Sequence, residues 1–150
     1  MIGIDKNILL YIILGAGLVI CAITDLKNKV IYLPVIISEL LLISGFHIWH
    51  KSFSLMSFAG AAIVCVLFIA AGFASGGQIG IGDALLFAVT GSGLGIMVNM
   101  FIIMLSFILA FCAAVFLVFV KHKSRNFCIP LAPFVLSAFA IYIAGIYCPL

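Results

Sequence analysis

The chain has 150 residues, 67% of them hydrophobic and 7% charged, with a formal net charge of +3. Soluble domains carry roughly 45–50% apolar and about 25% charged residues, so the composition excludes an ordinary soluble domain and implies an integral membrane protein. So few charges, spread over short loops, also argue against a nucleic-acid-binding surface.

Leu, Ile, Val, Phe and Ala recur in runs of about 20, which suits helices crossing ~30 Å of hydrocarbon and not the alternation of an outer-membrane barrel. The expected fold class is all-α and polytopic, one transmembrane domain over residues 1–150. The first run, about 8–24, follows Lys6 and has the outline of a signal peptide. No small-x-small cleavage site leads into a soluble protein, so it is read as a retained helix. It ends at Asp25-Leu26-Lys27-Asn28-Lys29. A second run, 31–49, carries Glu39 at its middle and closes with His47, Trp49, His50 and Lys51. That ending suits an interfacial anchor. Glu39 needs a hydrogen-bonding partner or a proton, and the expected reading is structural, with a wet cavity or a substrate groove as the alternatives.

The third run covers 55–74 and leads to Gly76-Gly77-Gln78-Ile79-Gly80-Ile81-Gly82-Asp83. The next, 84–120, is too long for one crossing: its roughly 37 residues would extend ~55 Å as a helix. Gly91-Ser92-Gly93-Leu94-Gly95 and Asn99 mark where it can break, because closely spaced glycines weaken a helix interior. Asn99 and Ser106 are expected to hydrogen-bond between helices. Lys121-His122-Lys123-Ser124-Arg125 reads as a topology determinant touching anionic lipid. The last run, 129–146, begins with Pro130 and Pro133, which start or bend its helix and leave exposed backbone nearby.

Six crossings follow. With the amino terminus outside, Lys27, Lys29, Lys121, Lys123 and Arg125 lie inside, leaving Lys6 and Lys51 outside, as the positive-inside rule requires. The same parity puts Asp25 and Asp83 on one face, the cytoplasmic one. The five cysteines form no C-x-x-C pair and no metal-like spacing with the histidines, so neither metal nor cofactor is expected. Cys21, Cys65 and Cys112 are read as small core residues, and Cys128 and Cys148 would lie on opposite faces, unable to form a disulfide.

A carboxylate beside hydrocarbon is costly unless paired, protonated or wet, which makes an intramembrane acid a functional candidate. Two carboxyl groups held together cannot both ionise cheaply; one keeps a proton while the other acts as a base, the arrangement that activates water in aspartic proteases. Gly80 and Gly82 would permit unusual backbone conformations and close approach of an extended peptide. The structural alternative is equally specific. Asp25 could pair with Lys29, and Asp83 could be the N-cap of the fourth helix.

Three strings together resemble the type IV prepilin peptidase family: Gly80-Ile81-Gly82-Asp83 after a Gly-Gly pair, Asp25 through Ile31 ending near Pro34, and Ile129-Pro130-Leu131-Ala132-Pro133-Phe134. The resemblance spans nearly the whole chain in the right order. It implies a membrane aspartyl protease of the G-x-G-D class with Asp25 and Asp83 as the dyad, and with Gly80, Gly82, Lys27, Pro130 and Pro133 as motif support. It also implies the partner, a type IV prepilin or pseudopilin precursor whose basic leader ends in glycine before a hydrophobic helix. Leu85 stands where many members have lysine, and Ile31-Tyr32-Leu33-Pro34 replaces a direct Ile-Pro, which bears on subfamily and substrate range. Paired C-x-x-C motifs of the bifunctional members are missing, so the expectation is peptidase activity without methyl transfer. The competing reading is a proton-coupled transporter subunit using Asp25, Glu39 and Asp83, although no internal repeat supports it. A presenilin-like enzyme would need more helices and a tyrosine where Thr24 stands.

Overall fold

The computed structural model describes residues 2–51, 54–76, 80–119 and 129–147, and among them every regular element is a helix. In order these are α1 (Ile2–Asn28), α2 (Leu33–Trp49), α3 (Leu55–Ala74), α4 (Ile81–Leu94), α5 (Ile96–Phe119) and α6 (Ala132–Tyr147). Within α1, the stretch Ile8–Asn28, together with α3 and α5, is long and apolar enough to cross a membrane, whereas α2, α4 and α6 are shorter apolar helices. This is an all-α membrane protein. The basic segment 121–125, Gly77, Gln78, Ile79, Cys128 and Cys148 lie outside the described residues.

Helix ends follow local chemistry. α1 stops where Lys29 enters the left-handed region at φ 53° and its N–H bonds the Asp25 carbonyl at 2.9 Å. Ser54 caps α3 by accepting from the Ser57 N–H, and Pro34 occupies the first turn of α2, where its missing donor costs nothing. The long fourth run breaks at one residue, Gly95, whose φ of 83° is open to glycine and strained for most other residues.

Helix α4 is the centre of the bundle, in contact with α1, α2, α3 and α5, while α6 packs against α1 and α5. It is buried nearly all round, from Ala84, Leu86 and Phe87 through Val89 to Gly93. Lipid tails are as apolar as leucine, so helices associate in a bilayer through close packing and polar links between them. Both occur here. A Cβ on Gly93 would come within 2.8 Å of Leu14 in α1, and one on Gly60 within 2.8 Å of Ile96 in α5. Asn99 of α5 donates through Nδ2 to the Phe87 carbonyl at 3.0 Å and meets the Thr90 hydroxyl through Oδ1 at 2.8 Å, so it links α5 to α4 as expected.

Ser106 does not. Its hydroxyl donates to the carbonyl of Ile103 in its own helix, because a serine can satisfy itself on the preceding turn while an asparagine amide reaches farther. The cysteines also divide: Cys21 is buried, Cys65 half-buried and Cys112 exposed. Cys112 thus belongs to the outer surface of the bundle and not to its core.

Candidate active site

The C-terminal end of α1 and the N-terminal ends of α4 and α6 converge on one cavity of about 360 Å³. It lies within the roughly 300–1,000 Å³ of ordinary ligand sites. Asp25 and Asp83 both line it, with Gly80 and Gly82 on the α4 side, Lys29 and Ile31 after α1, and Pro130 before α6. The two aspartates are close enough to interact electrostatically. Residues far apart in the sequence thus meet at one end of the bundle.

Asp25 is set by its position in the last turn of α1, buried with 7% of its surface exposed. Its Oδ2 accepts a 3.0 Å hydrogen bond from the N–H of Ala132, the first residue of α6. The first N–H groups of a helix have no partner inside it, and the helix dipole favours negative charge there. Here the supply of such donors is short, because Pro133 has none and the Phe134 N–H already bonds the Leu131 carbonyl. A hydrogen bond to a charged group contributes about 1.5–3 kcal/mol, enough to hold the carboxyl in one orientation.

Asp83 is not the N-cap of its helix. Gly80 occupies that place and Asp83 stands three residues later, half-buried in the first turn of α4, with its backbone N–H bonded to the Gly80 carbonyl at 3.1 Å. The cap itself carries no side chain.

The two glycines serve a different purpose from the one their residue type suggests. Gly80 is extended, at φ −72° and ψ 140°, and Gly82 is helical, so neither uses conformations closed to other residues. Gly82 provides space. A Cβ there would stand 2.9 Å from the Cβ of Ile31, so its absence allows the α1–α2 link to lie against the first turn of α4. At Gly80 the same atom would meet Asp83 Oδ2 at an ordinary 3.4 Å.

Other expected site residues fall outside the cavity wall. Lys27 is exposed, and it is Lys29 that lines the cavity. Pro133 sits one residue inside α6, behind Ala132. Ala132 stands inside the Ile129–Phe134 string but has no role assigned by it; it acts through its backbone N–H, which has no side-chain signature. Glu39 lines a separate cavity between α1 and α2, so the three acids do not share one site.

No curated protein and no solved structure matches the chain. A family model described as the type IV leader peptidase family matches residues 12–119, which includes both aspartates and stops short of Pro130 and Pro133. With a match over more than two thirds of its length, the chain belongs to the type IV leader peptidase family.

Proposed function

We propose that the chain is an aspartyl endopeptidase that removes the leader of a type IV prepilin or pseudopilin precursor at the cytoplasmic membrane face. The observation that carries this reading is the meeting of Asp25 and Asp83 in one cavity at one end of the bundle. Family membership supplies the peptidase class.

In this mechanism a water sits between the two carboxyl groups, and the peptide enters extended over Gly80 and Gly82. One carboxylate takes a proton from the water as its oxygen bonds to the scissile carbonyl carbon. The protonated partner hydrogen-bonds the carbonyl oxygen, and the tetrahedral intermediate collapses as the C–N bond breaks and a proton reaches the leaving amine. The pair titrates as one unit. Ala132 orients Asp25 through the hydrogen bond that its N–H donates to Oδ2.

Positive-inside counting places this end of the bundle at the cytoplasm, and the shared end of α1, α4 and α6 agrees with the parity of six crossings. A transporter that relays protons through Glu39 has less support, since Glu39 faces another cavity. The direct test is cleavage of a precursor by the purified chain in vesicles. A mobility shift at the glycine of the leader supports the reading; an intact precursor under conditions where the chain is folded overturns it.

A further inference from the structure

The second cavity lies along the α1–α2 seam, about 290 Å³ in volume, with Ala16, Gly17 and Ile20 on one wall and Val35, Glu39 and Leu42 on the other. Glu39 is 3% exposed, and neither of its carboxyl oxygens has a hydrogen-bond partner among the described residues. The carboxyl rests on Gly17, where any Cβ would overlap it. A buried polar group left unpaired costs about 1–3 kcal/mol, and replacing it with an apolar residue would remove that cost. The cavity opens to lipid past Ile12, Ile20 and Leu42, all strongly exposed.

Its position relates it to the aspartates. Gly17, Cys21 and Asp25 are spaced four residues apart and form one stripe of α1, and Cys21 is within electrostatic reach of both Glu39 and Asp25. Across the seam, Ile31 lines the aspartate cavity and Val35 lines the Glu39 cavity. Eight helical residues from Asp25 to Gly17 correspond to about 12 Å. Both cavities therefore lie along the α1–α2 seam, separated by the buried Cys21, and the one deeper in the membrane holds an unpartnered carboxyl.

Resting on the peptidase reading, we propose that this cavity is a lateral docking site for the hydrophobic helix of the substrate. Glu39, whose oxygens are covered against Gly17, turns to receive an uncharged hydrogen-bonding side chain about eight residues beyond the cleaved bond. A carboxyl group can donate one hydrogen bond and accept others, and a lipid-facing groove selects a partner that is itself a membrane helix. The placement of both cavities along the α1–α2 seam favours the substrate over a second copy of the chain, because only the substrate must also reach the dyad.

The test uses the full chain in phosphatidylcholine–phosphatidylglycerol vesicles with two precursors, each a basic leader ending in glycine before a hydrophobic helix of about 20 residues. They carry serine or leucine eight residues past the cleaved bond. For the serine precursor, Glu39→Leu raises KM about fivefold at unchanged kcat, as expected for loss of one hydrogen bond made equally in ground and transition states. Glu39→Gln stays near wild type. Against the leucine precursor Glu39→Leu has no further effect, and a photo-crosslinking amino acid in place of Leu42 captures the serine precursor. An unchanged KM in correctly folded Glu39→Leu, additive effects of the two changes, or crosslinks confined to lipid or to a second copy overturn the docking site while leaving the peptidase standing. Failure of the wild-type chain to cut either precursor overturns both.

Discussion

Gly82 and Ile31 pack so closely that one added carbon at position 82 would stand 2.9 Å from the Ile31 Cβ. This contact joins the chain just after Asp25 to the helix turn that carries Asp83. Gly82→Ala is expected to destabilise the protein by about 1–3 kcal/mol, the usual cost of overpacking, and to lower cleavage further by moving the acids apart. Gly80→Ala, with ordinary contacts and an extended backbone, should retain most activity. Pairing Gly82→Ala with Ile31→Ala should restore part of the loss in both denaturation and cleavage measurements; no recovery would remove the contact from the account.

Asp25→Ala and Asp83→Ala should each reduce precursor cleavage by about 100- to 10,000-fold, the range attributed to a general acid or base. Asn at either position tests the same point with less change of shape. Both proteins should elute as folded species in detergent. Full activity in either one sinks the dyad.

Ala132→Pro removes the N–H that Asp25 accepts while leaving a residue suited to the first position of a helix. It should therefore cut kcat with little loss of α6, whereas Ala132→Gly, which keeps the N–H, should stay active. Helicity by circular dichroism separates the two effects. Equal kcat in the two variants would mean that the bond does not position Asp25.

Thr90→Val and Asn99→Ala each remove the Thr90–Asn99 hydrogen bond between α4 and α5, and Asn99→Ala removes the bond to the Phe87 carbonyl as well. A double-mutant cycle followed by detergent-titrated unfolding should give a coupling energy of about 0.6 kcal/mol and no more than about 1.7, the span measured for such bonds in membranes. A coupling near zero would mean that the Thr90–Asn99 bond adds nothing to α4–α5 cohesion.

Cysteines introduced by Lys27→Cys and Lys123→Cys, in a background without native cysteines, should react with an impermeant thiol reagent from the same side, the cytoplasm. Reaction from opposite sides would contradict six crossings.

Composition required a membrane protein and the runs of about 20 apolar residues required helices, because hydrocarbon offers the backbone no partners and only helices and closed barrels, which would alternate, satisfy their own. The runs placed the helices to within a few residues, except that α1 starts more than a turn before its run, and the length of the fourth forced a break among glycines. Which glycine breaks it could not be read locally, because Gly91 and Gly93 serve packing against Asn99 and Leu14 while Gly95 alone takes the positive φ. The paired aspartates were visible as charges out of place, and parity put them at one end. Their surroundings were not visible. The Ala132 donor is a backbone group with no side-chain signature, Gly82 matters through a neighbour far away in sequence, and Glu39 acquires its unpaired state from the surface of another helix. Sequence by itself determined what each segment could not do in water or lipid; only the tertiary structure decided which distant atoms fill one another's space, because contact between helices depends on shape and not on local preference.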